Sequence, residues 1–147
     1  MSQPTEIDAS QVVDTLGELI AALAAFAAKV PAQSFMAMPG GIKPSLETVE
    51  TYEEIVYRFR DRAGKSVFRT LNTYFLDSLE AFEAGRVFDA VPPLQQAVEQ
   101  LIKLHKDETV KFAKAEQDRI REFLRRLQKI LPEANKPEVD LPPPTTY

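Results

Sequence analysis

Hydrophobic residues recur every three or four positions along most of the chain, which places them on one face of an α-helix. In the first such stretch they run from Val12 to Val30, behind Asp8 and Ser10, either of which suits a helix N-cap. Pro31 cannot continue the helix, because proline lacks the backbone N–H and its ring clashes with the preceding turn. We therefore predict a first helix that ends before Pro31.

Two further stretches with helical spacing lie on either side of Gly64. Apolar positions run from Leu46 to Phe59 behind Ser45, a good N-cap, and from Phe68 to Phe82 in front of Gly85, a natural C-terminal cap. The pattern predicts helix on both sides. It leaves open whether Gly64 bends one helix or separates two.

The C-terminal third reads as one long helix. Pro92 and Pro93 suit its first turn, where the N–H that proline lacks would have no helical partner. The apolar spacing that follows is irregular only over 105–115, where Asp107 is a candidate cap for a restart. We predict one long helix over 92–131, bent where the spacing is irregular.

Residues 132–147 contain five prolines, three of them consecutive at 142–144. Such a segment cannot form a regular hydrogen-bonded element, so we predict an extended or disordered tail. Strand-type alternation is absent over any useful length. The predicted fold is all-α: an antiparallel helical bundle over 1–131 with a long C-terminal helix, followed by a proline-rich tail over 132–147.

Composition indicates a folded chain from a reducing compartment. Hydrophobic residues make up 44% and charged residues 27%, close to the averages for globular domains. The chain has no cysteine, which excludes disulfides and thiolate chemistry, and the expected location is the cytoplasm. The most apolar run, 19–28, is half the length of roughly twenty residues that spans a bilayer, so we predict no membrane span.

Residues that typically carry catalysis are scarce. The single histidine, His105, has no recognisable orienting partner in sequence. Acidic pairs such as Glu53–Glu54 and Glu80 with Glu83 lack the Glu-x-x-His pattern of di-iron bundles. We predict a protein that is not an enzyme and has no metal or cofactor.

The net charge of −4 hides an uneven distribution of charges. Residues 1–54 hold two basic side chains against eight acidic ones, 55–70 hold five against one, and 103–130 hold nine against five. An acidic chain with two basic stretches is a candidate for binding a polyanion.

Four cations in the first basic stretch are spaced four, three and four residues apart, as on one helix face. This basic stripe consists of Arg58, Arg62, Lys65 and Arg69. Guanidinium groups offer forked donors to phosphate, and each neutralised phosphate releases counterions. We predict that the stripe binds nucleic-acid backbone, of RNA or single-stranded DNA. The alternative is an acidic protein surface, including the N-terminal half of a second copy.

The second basic stretch is a weaker candidate. Lys114, Arg121 and Arg125 share a broad helix face, but Asp118 lies among them. We expect many of these cations to pair with acids three or four residues away, as on a solvated helix surface. They form a second candidate set for nucleic-acid contacts.

The stretch YRFRDRAGKSVFR, on an otherwise ordinary all-helical chain, resembles the small subunit of Cascade-type CRISPR effector complexes. The resemblance covers architecture and basic residues only, and the acidic overall charge departs from it. It implies a non-enzymatic role in antiviral defence, as one subunit among several protein subunits. The basic stripe and the second candidate set would then contact guide or target strands.

Two other classes fit the same sequence. The alanine-rich first helix, with Leu19, Leu23 and Phe26, is similar to phasins, the amphipathic proteins that coat storage granules. A helical chaperone or adaptor would instead use the proline-rich tail to dock on another protein. A phasin should bind hydrophobic surfaces, whereas a nucleic-acid-binding subunit should show salt-sensitive binding.

Overall fold

The computed structural model describes residues 7–29 and 42–131. All regular secondary structure within these residues is helical, which confirms the predicted all-α class. The helices are α1 (Ala9–Ala28), α2 (Leu46–Ala63), α3 (Leu71–Glu83), a short 3-10 helix (Val87–Ala90), α4 (Val91–Lys106) and α5 (Lys114–Ile130). The predicted tail over 132–147 lies outside the described residues.

The first two helices begin where the sequence predicts. The Asp8 side chain accepts a hydrogen bond from the Gln11 backbone N–H at 2.9 Å, and the Gln11 side chain accepts from the Asp8 N–H at 3.0 Å. The Ser45 hydroxyl accepts from the Thr48 N–H at 3.2 Å. Each cap satisfies N–H groups that have no partner inside the helix.

Gly64 separates two helices. Its φ of 48° and ψ of −118° lie in a region that side chains with a Cβ rarely adopt, so α2 ends at Ala63. Tight turns follow: the Ser66 N–H donates to the Ala63 carbonyl at 2.7 Å, and the Arg69 N–H donates to the Ser66 carbonyl at 3.1 Å. The alternative of one bent helix is therefore wrong.

The prediction of one long helix over 92–131 is also wrong, because residues 107–113 interrupt it. Glu108 has a positive φ of 63°, which ends helical geometry. Phe112, only 4% exposed, inserts into the core. Its backbone N–H donates to His105 Nδ1 at 3.2 Å and its carbonyl accepts from the Gln117 side chain at 2.9 Å. Burial of Phe112 thus outweighs a continuous helix.

The core of the described residues is one hydrophobic cluster to which every helix contributes. From α1 it receives six side chains with no exposed surface: Val12, Val13, Leu16, Leu19, Ile20 and Leu23. By length and composition α1 is the one described helix that could cross a membrane. Its large side chains are packed against the other helices, as in the core helix of a globular protein.

A polar chain crosses the core between α2, α3 and the 3-10 helix. The Ser78 hydroxyl donates to the Ala90 carbonyl at 2.8 Å, and the Tyr52 hydroxyl lies 2.6 Å from the same Ser78 oxygen. Because the Ser78 proton is already committed, Tyr52 is the donor in the second bond. Burial raises the pKa of the Tyr52 phenol well above its ordinary value, and the Ser78 hydrogen bond opposes this only in part.

Contacts between side chains give the directions of the helices. Arg58 meets Glu18, and the Ile7 N–H donates to the Arg62 carbonyl, so α1 and α2 run antiparallel. The ring of Tyr52 packs against that of Phe82, and the ring of Phe59 packs edge-on against that of Phe75. Because the order of the contacts along α2 is reversed along α3, these two helices are antiparallel too.

The first and last helices run parallel. Asp14 of α1 bonds Arg119 of α5 at 2.8 Å, and Ala28 lies beside Lys129 at the other end of the same groove. The prediction of an antiparallel arrangement is wrong for this pair. Gln95 of α4 donates to the Gln128 side chain of α5 at 3.4 Å, and His105 lies beside Gln117, so α4 and α5 run antiparallel. The five helices therefore alternate in direction, and the first and fifth point the same way.

Candidate nucleic-acid interface

The structure divides the basic stripe between a helix and a connection. Arg58 and Arg62 lie on α2, whereas Lys65 and Arg69 lie in the turns between α2 and α3. The predicted continuous helix face is therefore wrong, because it assumed helical geometry across Gly64. We call the segment 62–69 the basic connection.

The four stripe residues differ in whether an acid neutralises them. Arg58 Nη2 lies 3.3 Å from Glu18 Oε1 on α1. Arg62, Lys65 and Arg69 are exposed, and within the described ranges no acid approaches any of them within 4.0 Å. Among the stripe residues, the positive charge that is free to meet a ligand therefore lies in the basic connection.

Buried residues hold the basic connection against the core. Phe68 is 5% exposed and Ala63 is fully buried, so the segment is anchored near both its start and its end. The backbone N–H of Ile7, itself buried, donates to the Arg62 carbonyl at 3.2 Å. The cationic side chains thus project from a backbone that is constrained by hydrogen-bonded turns and by packing against the core.

An apolar side chain lies between two of these cations. Val67 is 49% exposed, one of the few large hydrophobic residues that the described part of the chain leaves open to solvent. A cation on either side of an apolar group suits a ligand with a charged backbone and apolar sugar or base surfaces.

The second candidate set is largely neutralised by its own helix. Lys114 lies 3.6 Å and Arg121 3.1 Å from Asp118, and Arg125 pairs with Glu122. The pair Lys103–Asp107 at 3.0 Å has the same character on α4. Each of these side chains is largely exposed, so the pairs are those of a solvated surface.

Sequence reasoning missed how the connections are grouped. The helix directions place the α4–α5 connection at the same end of the molecule as the basic connection, and we call this the basic end. The end of α4 and the α4–α5 connection contribute Lys106 and Lys111, which are exposed and have no acid within 4.0 Å among the described residues, together with the exposed carboxylate of Glu108. The lysines themselves are visible in the sequence, but their position at the same end as the basic connection depends on the helix break at 107–113.

His105 and the acidic side chains are the other groups that the sequence offered as candidates for chemistry. His105 accepts a backbone hydrogen bond through Nδ1 and packs on the Phe112 ring at a centroid distance of 5.9 Å, which makes it a structural residue of the α4–α5 connection. No group of three or more His, Cys, Asp or Glu side chains in residues 7–29 and 42–131 could hold a metal ion.

No protein-family model, curated protein or solved structure matches this chain.

Proposed function

We propose that this protein is a non-enzymatic helical subunit that binds the phosphate backbone of RNA or single-stranded DNA through its basic connection. The observation that carries the proposal is the contrast between Arg62, Lys65 and Arg69, which have no acid within 4.0 Å in the described part of the chain, and Arg58, which is paired with Glu18. Free guanidinium and ammonium groups are the donors that phosphate oxygens accept.

Two further features support nucleic-acid binding at the same end of the molecule. Lys106 and Lys111 add unpaired positive charge at the basic end, although the chain as a whole carries −4. Several unpaired cations close together attract a polyanion more strongly than isolated cations elsewhere on an acidic protein. The second candidate set contributes little to this proposal, since Lys114, Arg121 and Arg125 already pair with acids.

The test is fluorescence anisotropy with labelled single-stranded RNA, single-stranded DNA and duplex DNA over a series of salt concentrations. The variant Arg62→Gln/Lys65→Gln/Arg69→Gln removes three candidate phosphate contacts. Each contact contributes about 0.7 to the salt slope for a single strand, so the triple variant should lower the slope by about 2.

A matched control makes the same change in charge at the opposite end. Lys43, Arg86 and Lys129 are exposed there, and their triple replacement by glutamine also shifts the net charge from −4 to −7. The control should retain most of the wild-type affinity. Equal losses in both variants would mean that only net charge matters, and absence of binding by the wild type at low salt would overturn the proposal.

Membership of a Cascade-type effector complex is a narrower proposal within this one, supported by helical content and the basic connection. It predicts that the chain co-purifies with other protein subunits and a guide strand, in the cytoplasm. The phasin alternative depended on Leu19, Leu23 and Phe26 facing a hydrophobic surface. Leu19 and Leu23 are fully buried in the core, and Phe26 is partly buried with its ring centroid 5.5 Å from that of Phe82. Use of these residues on a granule would require the core to open.

A further inference from the structure

The outward side of α1 changes character halfway along the helix. Exposed positions in its first half carry Ser10, Asp14 and Glu18, whereas over residues 19–28 every exposed position carries alanine. We call these residues, Ala21, Ala25 and Ala28, the alanine face. By contrast, α5 exposes a charged side chain in every turn. Solvated helix faces are normally polar, so the alanine face has the character of a contact surface.

The exposed positions of α1 also have the spacing of a helix pair. From Asp14 through Glu18 to the alanine face, the intervals are four, three, four and three residues. This is the spacing of the seam along which two helices pack. Alanine side chains on such a seam allow the two helix axes to approach to about 8 Å.

Charges at the two ends of the alanine face decide which partner fits. Glu18 precedes the apolar stretch 19–28 and Lys29 follows it, so the two charges are equally far from its centre between Leu23 and Ala24. The groove beside the C-terminal end of α1 adds Lys129, and Arg126 lines both this part of the groove and the part beside Asp14 and Glu18. Neither cation has an acid within 4.0 Å among the described residues. The C-terminal end of the alanine face is therefore flanked by cations, and its N-terminal end is flanked by carboxylates.

The carboxylates at the acidic end can still accept a second cation. Asp14 and Glu18 each pair with one arginine, Arg119 at 2.8 Å and Arg58 at 3.3 Å. Their side chains nevertheless are 57% and 52% exposed, and a carboxylate has acceptor sites for more than one donor.

We infer that the alanine face is the contact between two copies of this chain, with their α1 helices antiparallel about a two-fold axis near Ala24. In this arrangement Glu18 of each copy lies opposite the partner's Lys29, because both are equally distant from the axis. A parallel pair would instead bring like charges together. The same surface on both copies is then self-complementary, as a two-fold interface requires.

Sedimentation equilibrium over a range of protein concentrations tests the self-association. The wild type should approach twice its monomer mass of 16.5 kDa. Ala25→Glu should weaken the dimer at least tenfold, since it places two carboxylates near the axis. The matched control Ala115→Glu changes an exposed alanine on α5 and should leave the dimer unchanged. Circular dichroism checks that both variants are folded.

Cross-linking distinguishes the antiparallel pair from a parallel one. The chain has no cysteine, so a single introduced thiol reports one position. Ala25→Cys lies close to its copy near the axis and should form an intermolecular disulfide on oxidation. Ser10→Cys lies about 40 Å from its copy in the antiparallel pair, at 1.5 Å per residue, and should stay reduced.

Charge reversal tests the pairing at the ends. Glu18→Lys alone and Lys29→Glu alone should each weaken the dimer several-fold, and the double variant should recover most of the loss. A monomer at every concentration would overturn the inference, as would a dimer that Ala25→Glu leaves intact. Cross-linking of Ser10→Cys as readily as Ala25→Cys would overturn the antiparallel arrangement.

Discussion

Replacing Ser78 with alanine breaks the polar chain in the core at its middle link. Ser78 is fully buried on α3, where its hydroxyl accepts from the Tyr52 phenol and donates to the Ala90 carbonyl. The variant leaves one buried donor and one buried acceptor without these partners. Replacing Tyr52 with phenylalanine removes only the outer link and leaves the bond from Ser78 to Ala90 intact.

The structure therefore predicts which of the two variants loses more free energy of unfolding. A buried polar group left without its partner costs about 1–3 kcal/mol, so two such groups predict a loss of about 2–6 kcal/mol for Ser78→Ala. The higher helix propensity of alanine offsets a few tenths of this loss. Tyr52→Phe loses a single hydrogen bond and should cost about 0.5–1.5 kcal/mol.

The double variant measures the energetic coupling between Tyr52 and Ser78. Once Tyr52 is phenylalanine, Ser78→Ala leaves no phenol unpaired, so the double variant should cost about 1 kcal/mol less than the sum of the single variants. Urea unfolding followed by circular dichroism at 222 nm measures all four free energies of unfolding. Equal costs for the two single variants, or costs that add, would refute the reasoning that the chain runs from Tyr52 through Ser78 to Ala90.

Three further predictions concern single residues. Because the pKa of Tyr52 is raised in the folded state, the protonated phenol stabilises the fold below pH 10, and this stability is lost as the pH rises further. Urea unfolding at pH 8 and pH 11 should show a loss in the wild type that exceeds that in Tyr52→Phe by about 1 kcal/mol. Gly64→Ala should cost about 1–2 kcal/mol from backbone strain alone, since nothing lies within 4 Å of the added Cβ; a neutral effect on the urea midpoint would contradict this. His105→Leu removes the acceptor for the Phe112 N–H and should accelerate hydrogen exchange of that amide, whereas His105→Gln, which retains an acceptor, should do so less.

Local patterns predicted the helices well where they had to bury an apolar face. In α1 the six buried residues recur at helical spacing, and Asp8 and Ser45 cap their helices through bonds to residues three positions away. Such interactions lie within one or two turns, so periodicity and capping rules detect them.

The break between α4 and α5 was not predictable in this way. No glycine or proline marks residues 107–113, and Glu108 adopts its positive φ although glycine would be the usual residue there. The helix gives way to the burial of Phe112 in the core, which is a tertiary contact. Propensity carries no information about such a contact.

Sequence patterns identified the residues of the candidate site but not their arrangement in the fold. Arg62, Lys65 and Arg69 were identified from their charge, but the assumption of a helix across Gly64 placed them on a face that does not exist. The neutralisation of Arg58 by Glu18 joins residues 40 positions apart. Ion pairs between distant helices depend on the helix directions, which one sequence does not reveal.

The parallel course of α1 and α5 has a practical consequence for handling the protein. Because five helices alternate in direction, Leu131 lies at the end of the molecule opposite the basic connection, and α5 alone separates the two ends by about 25 Å at 1.5 Å per residue. A fluorophore or an immobilisation linker attached to a cysteine introduced at the exposed position Lys129 is therefore remote from the basic connection. Surface-based binding measurements should use that attachment, which turns the cationic end toward the solution.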